Sequence, residues 1–301
     1  MSHNHHHHHH HSQDDVSSVR LFITMMLNFV ITIAEVIGGL VSGSLALISD
    51  ALHNFSDGIA IIISYIAIKL KSRPKSEQYT FGLKRAEILA AVINASTLII
   101  ISFFLIKEAI ERFFVPTEIA GELMLIVASI GLIANVVGTL LLKKGSKDNI
   151  NIRAAYLHLL SDAVSSIAVI LGGLAIIFWN IYWIDPVLTI LISVYILRES
   201  YFIVKEAVNV IMMGSPESIS LPNVRQEIES IENVTNVHHT HLWRLDEQNV
   251  HFEAHVEVDD MAVSHTTPLL QEINKLLADK FNIDHVTIQF ECGGCDERKL
   301  L

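Results

Sequence analysis

Two copies of one short pattern stand out among the residues able to do chemistry. His53 and Asp57 lie four apart in Ser49-Asp50-Ala51-Leu52-His53-Asn54-Phe55-Ser56-Asp57, and His158 and Asp162 repeat the interval in His158-Leu159-Leu160-Ser161-Asp162. On a helix, residues i and i+4 share one face, about one turn apart. Two such faces brought together offer two imidazoles and two carboxylates, and a tetrahedral set of N and O donors suits Zn²⁺. A single intramembrane histidine needs no more than a hydrogen-bonding neighbour, and one His-x-x-x-Asp recurs by chance. Two copies inside long apolar segments are harder to explain blandly. Each ionisable side chain at membrane depth costs on the order of 2.5–3.5 kcal/mol on insertion scales. Imidazole and carboxylate bind a cation only when deprotonated, so metal binding expels protons. A site opening alternately to each side can therefore exchange metal for H⁺, and histidine, with its ordinary pKa of about 6.5, suits that role. Asp50, one turn before His53, and Glu35 read as cavity lining before direct ligation, with acceptor or proton-carrier roles left open. Asn28, Asn94 and Asn135 read as interhelical hydrogen-bond partners.

The elements that must position these groups are long apolar segments. The chain has 301 residues, 51% of them hydrophobic and unevenly distributed. Six stretches before residue 214 are long enough to cross a hydrocarbon core of about 30 Å, which takes about 20 helical residues. They run near Val19–Val41, Leu45–Leu70, Leu83–Ala109, Ile119–Leu142, Ile150–Phe178 and Ile184–Val210. Lys69, Lys71, Arg73, Lys75, Lys84 and Arg85 flank the second-to-third connection, and Lys143, Lys144, Lys147 and Arg153 the fourth-to-fifth. The opposite side has only Lys107 and Arg112. Excess Lys and Arg mark the cytoplasmic side, so both termini are predicted to be cytoplasmic. The expected organisation is a His-rich tail over 1–15, a six-helix transmembrane domain over 16–213 and a soluble domain over 214–301. Eight histidines within residues 1–11 admit two readings, an expression tag or a native metal-handling tail. The net charge of −11 resides largely in the C-terminal third, and no basic patch with interleaved aromatics appears, which argues against nucleic acid.

The C-terminal segment reads as a helix over Leu221–Ile231, strands over Val234–Leu245 and Val250–Val258, a helix over Thr267–Phe281 and a strand over Val286–Phe290. That order predicts a small α+β, ferredoxin- or metallochaperone-like domain. It holds seven histidines at 238, 239, 241, 251, 255, 265 and 285, together with Glu291, Cys292 and Cys295. At period two, His239 and His241 share one strand face, as do His251 and His255. Two cysteines make no disulfide framework. Cys292-Gly293-Gly294-Cys295 lacks the following helix of a redox motif, so thiolate metal ligation is the preferred reading over inert or redox thiols.

At these residues the chain resembles the cation diffusion facilitator family, from about residue 18 onward. The resemblance rests on "SLALISDALHNFSDG", "AAYLHLLSDAVSSIAVI", the "YTFGLKRAEILAA" segment and the α+β tail. It implies a homodimeric metal/proton antiporter that exports cytosolic metal across a bacterial inner membrane. The implied transport site is His53, Asp57, His158 and Asp162, with His first as in zinc transporters; Co²⁺ and Cd²⁺ stay open because affinity alone discriminates weakly. The implied cytoplasmic zinc ligands are His241, His255, His265 and Glu291, modulating transport. One family histidine is here Gln289, which puts a binuclear site of the relatives' form in doubt. The loop over 75–83 lacks the His and Asp that some relatives carry, so no metal site is expected there. Two rival functions remain. An intramembrane metalloenzyme is disfavoured by the absence of His-Glu-x-x-His and of an open coordination position. A metal receptor that moves no ion is separated from a transporter only by a flux measurement.

Overall fold

The computed structural model describes residues 11–143, 150–246, 249–293 and 300. The histidine run before residue 11, Lys144, Lys147 and Cys295 lie outside these residues. Six long helices come first: α1 (His11–Ser42), α2 (Leu45–Lys71), α3 (Ala86–Phe114), α4 (Gly121–Leu142), α5 (Ile150–Trp179) and α6 (Ile184–Ile211). Five of them, α2 to α6, hold spans long and apolar enough to cross a membrane, and α1 contributes the apolar helix Met26–Ser42. Their bounds follow the hydropathy, but α1 starts at His11, eight residues before Val19, and α3 is displaced at both ends, running on to Phe114, five residues past Ala109. The third helix starts at Ala86 and not at Leu83, because residues 79–85 form turns through Gly82, whose φ of +78° a β-carbon disfavours.

The chain divides into two compact units, Met1–Ile62 with Asn94–Tyr201, and Ile63–Ile93 with Phe202–Leu301. Small residues let helices of the first unit approach closely, as helix pairs in lipid require. A Cβ on Gly38 of α4's neighbour α1 would meet Val127 at 2.6 Å, and one on Gly138 would meet Leu159 of α5 at 2.9 Å. The start of α2 is fully capped. Ser44 Oγ accepts from Leu47 N–H at 3.2 Å, while Asp185 of α6, wholly buried, accepts from Leu45 N–H at 2.8 Å and Ala46 N–H at 3.2 Å. Arg112 of α3 donates to the Gly43 carbonyl at 2.6 Å in the same turn.

The second unit contains the C-terminal domain: α7 (Leu221–Glu229), β1 (Val234–Arg244), β2 (Val250–Val258), α8 (Val263–Phe281) and β3 (His285–Glu291). The sheet order is β1-β2-β3, with β1 antiparallel and β3 parallel to β2. The parallel pair needs a crossover, which α8 supplies. Val224, Ile228, Phe252, Ala254, Val256, Ile273 and Leu277 form the core, so both helices cover the β2 face that carries 252, 254 and 256. Helix α8 begins four residues before the sequence reading and carries Pro268 inside it.

A β-bulge interrupts β1. His238 pairs with His255, yet His241 pairs with Glu253, so one extra residue lies between them. His239 absorbs it in the left-handed region, at φ +49°. The extra residue flips the alternation, so His238 and His241 share the sheet face opposite the helices.

On that same face His251 stacks on His285 (ring centroids 4.4 Å) and packs against Trp243 and Phe81. Burial holds its imidazole below the ordinary value, helped by His285 and Lys84. The unfolded chain then takes up that proton first as pH falls. The His251 contribution to stability is therefore full above about pH 6.5 and is lost below it. His251→Phe, which keeps the ring packing, is expected to lose less Tm between pH 7 and pH 5.5 than the parent, as read by thermal melts of the full chain.

Candidate metal centre

Helix α2 carries His53 and Asp57, and α5 carries His158 and Asp162. In each helix the i, i+4 interval aligns the pair: His53 Nε2 lies 3.6 Å from Asp57 Oδ2, and His158 Nε2 lies 3.4 Å from Asp162 Oδ2. Across the helices, His158 Nε2 is also 3.4 Å from Asp57 Oδ2, and the two imidazoles stand edge to face at 5.9 Å. Donor atoms of His53, His158 and Asp162 lie within 4.8 Å of one another. A tetrahedron with corners about 2.1 Å from its centre has edges of about 3.4 Å, so these separations suit one cation between the helices. The donors are reachable as well as confined. The side chains of His53, Asp57 and His158 are 23%, 29% and 36% exposed, and that of Asp162 is 4% exposed.

Neighbouring hydrogen bonds fix α2 at this level. Ser56, beside Asp57, donates to Asn94 of α3 at 3.0 Å, and Ser49 pairs with Ser193 of α6 at 3.4 Å. Asp50 accepts from Ser165 of α5 at 2.8 Å. Asp50 and Glu35 are both buried, so neither lines an open vestibule. Asn94 acts as the interhelical partner expected of it. Asn135 and the Asn28 side-chain oxygen are buried without hydrogen-bond partners.

A second group of donors lies in the C-terminal domain and differs from the set expected by resemblance. It consists of His238, His255 and Glu291. Glu291 Oε1 is 2.8 Å from His255 Nδ1, and Oε2 is 3.3 Å from His238 Nε2. Two of the three donors are oriented from behind: His238 Nδ1 meets Asn236 Oδ1 at 3.0 Å, and Gln289 donates to Glu291 at 2.9 Å. Gln289 thus orients a carboxylate where the family's histidine was expected. His241 and His265 stand outside this group. His241 lies opposite Glu253 with its ring 4.9 Å from that of His239, and His265 is exposed at the start of α8. Cys292 is exposed with a free thiol, and Cys295 lies outside the described residues. Sequence periodicity missed His238 because strict alternation from His241 puts it on the covered face; only the bulge reverses that.

Residues 21–212 match the model of the cation efflux transmembrane domain, and residues 216–292 match that of the cation efflux protein cytoplasmic domain. The zinc transporter ZitB of Pectobacterium atrosepticum is 38% identical over 99% of this chain and 91% of its own length. The cadmium, cobalt and zinc/H(+)-K(+) antiporter of Bacillus subtilis is 38% identical over 97% of this chain and 92% of its own. A solved structure, the metal-bound C-terminal domain of the CzcD transporter from Cuprividus metallidurans, is 38% identical, covering 24% of this chain and 99% of that one with a TM-score of 0.23. With both domain models matched in order and relatives aligned nearly end to end, the chain belongs to the cation efflux family: it is a multi-pass membrane transporter of metal cations and not an enzyme.

Proposed function

We propose that the protein exports Zn²⁺ from the cytosol in exchange for protons, through a four-ligand site of His53, Asp57, His158 and Asp162. The observation that supports the reading is that donor atoms of His53, His158 and Asp162 lie within 4.8 Å of one another, with Asp57 Oδ2 3.6 Å from His53 Nε2 and 3.4 Å from His158 Nε2. The names of the relatives support the ion: one is called a zinc transporter and another a cadmium, cobalt and zinc/H(+)-K(+) antiporter. Co²⁺ and Cd²⁺ stay open as further cargoes. The ligands bind the dication only when deprotonated, so loading releases protons and unloading recovers them. Alternating exposure of the site turns that competition into exchange. The Lys and Arg excess at residues 69–85 orients those ends, and both termini, toward the cytoplasm. The match of residues 216–292 to a domain named for dimerisation supports a homodimer. His238, His255 and Glu291, with Cys292 and Cys295 as further thiolate candidates, form a cytoplasmic zinc site that modulates transport.

Asp57→Ala is expected to abolish Zn²⁺ flux in proteoliposomes while the protein still purifies folded, since it removes one corner of the cage. Surviving flux would show the site assignment wrong. In the parent, a proton gradient is expected to drive uptake, and flux indifferent to the gradient would count against proton exchange. His238→Ala is expected to lower bound zinc by about one ion per chain with Asp57 intact. Metal content measured by atomic absorption checks this, and an unchanged stoichiometry removes the cytoplasmic site. The Cys292→Ser/Cys295→Ser double variant, read the same way, decides whether thiolates take part.

A further inference from the structure

Glu35 is a buried acid that the proposed cage does not use. It lies on α1 with 1% of its surface exposed. Its Oε2 accepts one hydrogen bond, from Asn54 Nδ2 at 3.2 Å, and its Oε1 has no partner. The helix beside it has made room for the carboxyl: a Cβ on Gly131 of α4 would lie 2.6 Å from Oε1. Asn135, one turn further along α4, and Asn54 of α2 also keep buried amide atoms unpartnered. The charged groups that face Glu35 are both acids, Asp50 from α2 and Asp162 from α5; α4 presents Gly131. Among the described residues no Lys, Arg or His is paired with it. A carboxyl taken out of water without a counter-charge pays so heavily for ionisation that such groups take up a proton instead.

We propose that Glu35 is a binding site for the exchanged proton, separate from the metal cage. The inference rests on the metal-for-proton exchange proposed above and adds a carrier outside its four ligands. In the metal-free protein the proton sits on the unpartnered Oε1. When the dication enters between α2 and α5, the O–H bond breaks, the electron pair stays on the carboxylate and the proton leaves to water. Glu35 does not bond the metal; it answers the charge held by Asp162. One dication and one proton compete for the same buried negative charge, and by linkage each weakens the other's binding by the same factor.

The test counts protons. Full-length protein is titrated with Zn²⁺ by calorimetry in buffers of differing ionisation heat, and Zn²⁺-for-Zn²⁺ exchange is followed in proteoliposomes. Glu35→Gln keeps the size of the side chain and an acceptor for Asn54. The count in E35Q is expected to fall by about one proton per ion, with exchange held within about twofold. An unchanged count in E35Q overturns the proposal. Loss of exchange in folded E35Q overturns it too, because it assigns the residue to the cage or its support. A parent protein that binds Zn²⁺ but moves none fails the transport reading instead, and the proton count still stands alone. Should E35Q not fold, infrared difference spectra of the parent decide. A protonated-carboxyl band that vanishes on Zn²⁺ addition and shifts in Glu35→Asp supports the site, and no such band overturns it.

Discussion

An imidazole or carboxyl held away from water gains nothing from hydrocarbon, so the His53–Asp57 and His158–Asp162 pairs are stable only while their donor atoms face one another or a cation. This constraint organises the helical part of the molecule. The backbone is satisfied within each helix, as a membrane demands. What remains polar is side chain, and it gathers where helices meet: Ser49 on Ser193, Asp50 on Ser165, Ser56 on Asn94 and Asn54 on Glu35. Every one of these contacts involves α2. That helix supplies half the proposed cage, and it is also the helix on which the others place their polar partners.

The fixing of α2 begins at its first turn. A helix entering the membrane exposes backbone N–H groups that lipid cannot satisfy. Ser44 and Asp185 take three of them, and the Asp185 carboxylate is favoured there by the positive end of the helix dipole. His53 follows two turns later, so the angular error at the ligand is small if the first turn is held. The clamp and the cage are thus parts of one arrangement, one setting the helix and the other using it.

Much of this was legible in the sequence, for reasons that differ by element. Helices α2 to α6 show in hydropathy because lipid admits few charges, and the paired His-x-x-x-Asp shows because helical spacing is rigid. Proximity of the two motifs came from the resemblance and from their number, not from spacing, which says nothing of contacts between helices. The role of Asp185 was not legible. An acid at a helix start reads as a local dipole partner, and nothing in the sequence says that it caps a helix some 140 residues away. Gly131 opposite Glu35 was equally silent. In the C-terminal domain the strands were legible from alternation, but the donor set was not, because one bulged residue at His239 reverses which histidines face Glu291.

The two donor groups are built in ways suited to different tasks. In the proposed transport site each helix contributes a rigid His–Asp pair, and the whole cage exists only while α2 and α5 are close. Parting the helices leaves two ligands on each side, and a dication held by two donors is held weakly. Affinity can then be switched by a small movement without unfolding any element, as transport between two sides requires. The C-terminal group is assembled across β1, β2 and β3, with β2 in the middle and ladder hydrogen bonds on both sides. Its donors cannot be separated without tearing the sheet. A metal there can be bound or absent, but the site itself does not come apart, which suits a resident, modulating ion and not a cargo.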